Sequence, residues 1–219
     1  MKVLIACEFS GIVRDAFLEK GHDAISCDLE PSERSGPHYQ GDVRDILYSE
    51  KWDMLIGHPP CTYLTTAANR FYNSPGRKEK REEAVKFFME LVNAPVPRIA
   101  IENPVGYINS IYRGPDQIVQ PYYFGHPVKK TTCMWLKNLP LLHPTNMLRE
   151  PDPIRISSTG KNVHWCESQG GTKEQKSKIR SRTFKGLAEA MADQWGNCTS
   201  YPCQAPLSGW VDVTQQDLI

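Results

Sequence analysis

Trp52-Asp53-Met54-Leu55-Ile56-Gly57-His58-Pro59-Pro60-Cys61 is the stretch from which the fold can be read. Its apolar run predicts a buried strand, and the two prolines stop that strand and put Cys61 in a loop at its tip. Further on, Arg98-Ile99-Ala100-Ile101 ends in Glu102-Asn103-Pro104 and repeats the pattern. If both runs belong to one parallel sheet, a thiol and a carboxylic acid stand at two strand tips over one crevice. In open α/β sheets, ligands bind outside the carboxyl ends of the strands.

The pattern extends in both directions. Val3 to Cys7 predicts a first strand, followed by Gly11 and an amphipathic stretch from Ile12 to Lys20. Ala24 to Cys27 predicts a second strand ending at Asp28. Residues 77–93 place Ala84, Phe87, Phe88, Leu91 and Val92 on one helical face, and Thr131 to Leu136 predicts a further strand. Short apolar strands alternating with helices imply an α/β fold: a Rossmann-like, mostly parallel sheet with helices on both faces. After Leu136 the texture turns polar. The expectation is one domain over residues 1–219, with a core of 1–136 and 182–196, an irregular insert at 137–181 and a tail at 197–219. Arg182-Thr183-Phe184 opens a last helix that stops at Gly196.

The totals narrow the class. With 219 residues, 40% hydrophobic and 23% charged, the chain suits one soluble globule. A formal charge of +1 gives no global basic field for nucleic acid, though a local groove is compatible with it. No run suits a membrane span or a signal peptide. Seven scattered cysteines then predict reduced thiols and a cytoplasmic location. Nothing in the sequence bears on oligomeric state.

Several residues are candidates for chemistry. Phe9-Ser10-Gly11 follows the first strand, where a glycine lets backbone approach a ligand and the next helix offers free N–H groups. Asp28, at the end of strand two, stands where a carboxylate accepts ribose hydroxyls, and Asp42 is placed to hold an adenine edge. Cys61 reads either as a small buried hydrophobe or as a presented nucleophile, for which a lowered thiol pKa is expected. Glu102 reads either as a cap or salt-bridge partner or as an acid gripping a ring nitrogen, with burial expected to raise its pKa. Lys129 and Lys130, before a strand, suit a phosphate or the cofactor's carboxylate. Lys173, Lys176, Lys178, Arg180, Arg182 and Lys185 form a basic run that reads as solvated surface or as a phosphate groove. No metal site is expected: Cys198 and Cys203 lack a matching second pair, and His164 with Cys166 stands alone.

The order of these motifs resembles the cytosine-C5 DNA methyltransferase family, in particular small phage and prophage members without a full target-recognition domain. Phe9-Ser10-Gly11 is similar to that family's cofactor motif, Pro59-Pro60-Cys61 to its nucleophile motif and Glu102-Asn103-Pro104 to its Glu-Asn-Val motif. Gly125 to Leu136 looks like its Gly-x-Pro-Gln-x-Arg-x-Arg strand, and Arg182 to Trp195 like its closing helix. Val13 and Arg14 replace two family glycines, and Thr132 stands where the family has an arginine.

The resemblance implies a methyltransferase fold and S-adenosyl-L-methionine as cofactor, bound by Phe9, Ser10, Gly11, Asp28, Asp42 and Pro59. It implies Cys61 and Glu102 as catalytic residues, Asn103, Lys130, Thr132 and Arg182 as substrate contacts, and DNA as partner. Three alternatives stay open. One is the same C5 chemistry on a free deoxycytidine nucleotide. Another is methylation of an exocyclic amine, although such enzymes carry an aromatic residue after Pro-Pro. The third is a non-catalytic relative that only binds the cofactor or DNA.

Overall fold

A computed structural model of the chain describes residues 1–197. Its first half alternates β1 (Lys2–Ala6), α1 (Ile12–Glu19), β2 (Asp23–Asp28), β3 (His38–Gln40), α2 (Arg44–Leu47) and β4 (Met54–Gly57). The chain continues with α3 (Arg77–Val92), β5 (Arg98–Asn103), α4 (Ile108–Ile111), β6 (Gln117–Val119) and β7 (Thr132–Lys137). After these come a small hairpin of β8 (Arg155–Ile156) and β9 (Asn162–Val163), then α5 (Trp165–Ser168), α6 (Lys173–Ser181) and α7 (Lys185–Gly196).

The main sheet has the order β3-β2-β1-β4-β5-β7-β6. The strands from β3 to β5 pair in parallel, and β7 runs antiparallel to both β5 and β6. This is the Rossmann-like α/β fold the apolar strands imply: the 3-2-1-4-5 half of the doubly wound order, with one antiparallel strand slipped in before the edge. Sequence order reverses between β1 and β4, which makes their carboxyl ends the topological switch point.

Strand alternation divides the core in two. Ile5, Ile56, Ala100 and Met134 face α1 and α7, whose Phe17, Leu187, Met191 and Trp195 complete that cluster. Leu4, Leu55, Ile101 and Trp135 face α3 and pack on Phe88, Leu91 and Val92. Register then fixes what lies at the rim. Ala6 pairs with Gly57, and Gly57 with Ile101, so the next residues of the three chains, Cys7, His58 and Glu102, stand side by side. His58 and Glu102 lie two positions beyond Ile56 and Ala100, hence on the α1/α7 face, and Thr132 reaches the same face two positions before Met134.

Residues 137–181, expected to be irregular, carry more order than that. Leu139 and Leu142 belong to the core, and Gln117 at the start of β6 holds Leu142 through two hydrogen bonds of 2.7 and 2.8 Å. Helix α6 escapes a search for apolar periodicity because it buries none of its residues. It is nucleated by a capping box, in which Thr172 Oγ1 accepts from the Gln175 N–H and Gln175 Oε1 accepts from the Thr172 N–H. The edge strands β3 and β6 are three residues each, too short and too polar to announce themselves. The expected tail lies outside the described residues from position 198 on, and with it Cys198 and Cys203. Among the described residues no helix is long and apolar enough to cross a membrane.

Candidate active site

Two regions flank the switch point. The first is the turn from β1 into α1. Cys7 takes a left-handed φ of 59°, an uncommon conformation for a side chain other than glycine, asparagine or aspartate. Gly11 is left-handed too, at φ 69°, and a Cβ there would come within 2.5 Å of the Arg14 guanidinium. The sequence led us to expect free N–H groups at the start of α1, and here the structure differs. The buried Glu8 carboxylate takes them, accepting from the Val13 N–H at 2.7 Å and the Arg14 N–H at 3.3 Å, with Ser10 Oγ donating to it at 3.0 Å. Glu8 is thus an internal anion at the helix N-terminus, where charge and backbone donors both favour it.

Arg14, where the family has a glycine, is fully buried and fastens the loop after β2. Its guanidinium donates to Asp15 at 2.7 and 2.9 Å, to Ser26 Oγ and Ser32 Oγ at 3.3 and 3.1 Å, and to the Arg34 and Ser35 carbonyls. Asp28 stands at the tip of β2, where its carboxylate accepts from the Glu30 N–H at 3.0 Å; burial pushes its pKa up. Asp42, beyond β3, is half exposed and accepts from the Arg44 N–H and guanidinium, both at 3.0 Å. Asp28 and Asp42 both act electrostatically on Cys7, whose thiol burial already pushes far up. Phe9 is covered by the Lys178 ammonium, 4.8 Å from its ring centre. Arg182 makes a two-pronged ion pair with Glu33, at 2.6 and 2.7 Å, and so belongs to this region rather than to the surroundings of Cys61. Half of the basic run is matched within the chain: Lys178 by Glu30 and Lys185 by Glu189, besides Arg182.

The second region lies at the tips of β4, β5 and β7. Asn103, buried, donates its side-chain amide to the Pro59 carbonyl at 2.9 Å and ties the Pro-Pro loop to β5. Cys61, half-buried, accepts at its carbonyl from the Leu64 and Thr65 N–H groups, which turns the chain immediately after it. Its thiol is pushed up, first by burial and then by the negative charge of Glu102, with Lys130 and Arg180 pulling the other way. The expected lowering of this pKa is therefore corrected. Glu102 is corrected in the opposite sense. Burial works to raise its carboxyl, but a 3.2 Å hydrogen bond from His58 Nδ1 and the positive charge of Lys130 prevail and hold it below the usual range. Thr132 Oγ1 donates to the Lys130 carbonyl at 3.2 Å. His58, Glu102, Lys130 and Thr132 line a narrow slot closed by Pro121, Thr183, Phe184, Leu187 and Met191.

The structure thus brings Glu102, Lys130 and Thr132 together in the slot, with Cys61 outside its lining but near enough to feel the charges of Glu102 and Lys130, and leaves Phe9, Ser10, Gly11, Asp28, Asp42 and Arg182 on the α1 side of the switch point. Pro59 and Asn103 brace the loop between the two. Sequence reasoning passed over Glu8 and His58. Each was detectable as a polar residue one or two places past an apolar strand, where the carboxyl edge of the sheet begins. Among the described residues no three His, Cys, Asp or Glu side chains converge as a metal site requires.

No family model matches this chain. No curated protein matches it either. Among solved structures it is similar to a protein of E. coli, encoded within a prophage and described as a candidate DNA modification methyltransferase. The two share 16% identity with a TM-score of 0.42, over 71% of this chain and 53% of that one. This chain thus spans about half the length of that protein. What fold and site define by themselves is a Rossmann-like α/β protein with a thiol and a carboxylate at adjacent strand tips.

Proposed function

We propose that this chain is a methyltransferase that uses S-adenosyl-L-methionine to methylate C5 of cytosine in DNA. The observation that carries the proposal is the pairing of Cys61 with Glu102 at neighbouring strand tips, near enough for the carboxylate to act on the thiol, with Lys130 acting on both.

The crevice beside α1 suits this cofactor better than a dinucleotide. Rossmann pyrophosphates sit on the helix N-terminus, and here Glu8 fills that place and would repel a phosphate. A phosphate-free nucleoside avoids the conflict, with Asp28 positioned for its ribose hydroxyls and Asp42 for its base. S-adenosyl-L-methionine supplies an electrophilic methyl group when bound.

Cys61, as thiolate, adds to C6 of the pyrimidine, and the electrons of the C5–C6 double bond become available at C5. Glu102 faces the N3 edge, where that charge otherwise accumulates, and its carboxylate shares with N3 a proton taken up from solvent as the adduct forms. Lys130 stabilises both the thiolate and the developing negative charge. Once C5 carries the methyl group, its proton passes to solvent, the double bond reforms and Cys61 departs as thiolate. A cytosine within duplex DNA has to leave the stack first, at a cost of a few kcal/mol.

Mass spectrometry of nucleosides from cells expressing the protein tests the reading. The expected outcome is 5-methyl-deoxycytidine, absent with the Cys61→Ser variant. Methylation at N4, or full activity of Cys61→Ser, contradicts it. Purified protein given DNA or deoxycytidine nucleotides separates the polymer from the monomer, the alternative that the near-neutral charge of +1 favours.

A further inference from the structure

One polar atom of the slot is unaccounted for. His58 is 6% exposed at its side chain, and its Nε2 has no hydrogen-bond partner among the described residues. A buried, unpaired ring nitrogen is a costly feature, and among the described residues few other side-chain atoms share it, Gln120 Oε1 being one. The other nitrogen explains the ring's orientation. Glu102 is held as a carboxylate and can only accept, so the proton in the 3.2 Å contact belongs to His58 Nδ1. Nε2 of the neutral ring, the form the inference below requires, is a bare acceptor, fixed in direction by Glu102 and by the β1–β4 pairing, where the His58 N–H donates to the Ala6 carbonyl at 2.9 Å.

The slot's polar equipment is asymmetric. His58 Nε2 and the Glu102 carboxylate accept, Lys130 Nζ donates, and Pro121, Phe184, Leu187 and Met191 offer apolar walls. Glu102 at N3 and Lys130 at the carbonyl beyond it suit cytosine and uracil alike once N3 carries a proton, so the bare Nε2 is the group that answers to C4 and matches an edge with an amino group there. Cytosine has that edge. Uracil has a carbonyl in place of the amino group, and that oxygen would meet the bare Nε2 lone pair without a proton between them. The covalent chemistry of Cys61 is open to either ring, so the choice between them has to come from this edge.

We infer that His58, through Nε2, accepts a hydrogen bond from the exocyclic amino group of the target base and so selects an amino-pyrimidine over a keto-pyrimidine. The inference rests on the reading of the site given above, and deepens it. It also gives Glu102 a second task, that of orienting His58. With room for about one water molecule, the slot has to widen at Phe184 or Lys130 to admit the base edge.

Two substitutions separate the two nitrogens. His58→Asn keeps a donor near Nδ1 and deletes Nε2, whereas His58→Gln puts a carboxamide oxygen near Nε2. Methyl transfer is measured on a pool of oligonucleotides with randomised flanks and one central cytosine or uracil. The expected result is a wild-type preference for cytosine that narrows by about tenfold or more in His58→Asn and is largely kept in His58→Gln. A preference unchanged in His58→Asn overturns the inference and leaves the methyltransferase reading standing.

Nitrogen NMR of wild-type protein gives a readout that needs no turnover. The His58 signals are expected to report a proton on Nδ1, and Nε2 is expected to shift with the cytosine pool and not with the uracil pool. That selective shift without any methyl transfer upholds the recognition and sinks the reading. Equal response to both pools, or none to either, overturns the recognition whatever the variants do.

Discussion

The two sides of the switch point treat their polar groups in opposite ways. Around α1, Glu8 closes the helix N-terminus and Arg14 spends its guanidinium on Asp15, two serines and three carbonyls. Around β4 and β5, among the described residues, His58 Nε2 has no partner, the Cys61 thiol is pushed up, and Lys130 acts on both Cys61 and Glu102 without closing an ion pair on either. A region that satisfies its buried groups internally holds shape. A region that leaves them facing a slot is prepared for something that is not part of the chain. The comparison assigns stability to the first and chemistry to the second.

Substitutions that respect this division sharpen it, and the largest effect belongs to Cys61. Cys61→Ser is expected to lower methyl transfer by about 10⁴-fold or more, with the thermal midpoint almost unchanged, because a nucleophile is lost and little packing is. Arg14→Met is expected to show the reverse. It leaves Asp15 to Arg34 but deprives Ser26 and the loop carbonyls of a fully buried donor, at about 1–3 kcal/mol in chemical denaturation, while Cys61 still alkylates at a normal rate. If Arg14→Met stops chemistry without loss of stability, the division fails.

The electrostatic coupling gives smaller effects. Free Cys61 titrates above the usual thiol range, so its alkylation by iodoacetamide rises with pH and lies to the alkaline side of free cysteine. Glu102→Gln removes the negative charge that opposes the thiolate, so at pH 8 Cys61 is expected to alkylate several-fold faster even as methyl transfer falls. Lys130→Met is expected to slow alkylation by a comparable factor, through loss of the opposing positive charge. Movement of both variants in the same direction contradicts the placement of Glu102 and Lys130 around one thiol.

How much of this was legible in the sequence follows from burial. β1, β4 and β5 are apolar runs and α3 has a periodic face, because each packs against the core on the face the pattern describes. α6 has no such face, and its only sequence signal is the Thr172/Gln175 capping box. Cys61 and Glu102 were legible because one follows and the other closes a strand whose end is marked by proline. Their protonation was not, since the hydrogen bond from His58 and the charge of Lys130 arrive from 44 residues upstream and from a different strand, and only the register of the sheet aligns them. Glu8 was overlooked for a related reason: the motif reading centred on Gly11, whereas the residue that closes the helix end lies three positions earlier.

Covalent attack by Cys61 is the claim on which the functional account stands, and a trapped adduct measures it directly. Oligonucleotides carrying 5-fluoro-deoxycytidine are incubated with S-adenosyl-L-methionine and the wild-type protein, then analysed by intact mass and peptide mapping. Fluorine at C5 cannot leave as a proton does, so Cys61 stays attached. The account predicts a species with the mass of protein plus methylated oligonucleotide, mapped to Cys61 and missing in Cys61→Ser. Unmodified Cys61 in a preparation that methylates ordinary DNA, or an adduct at any other cysteine, contradicts it.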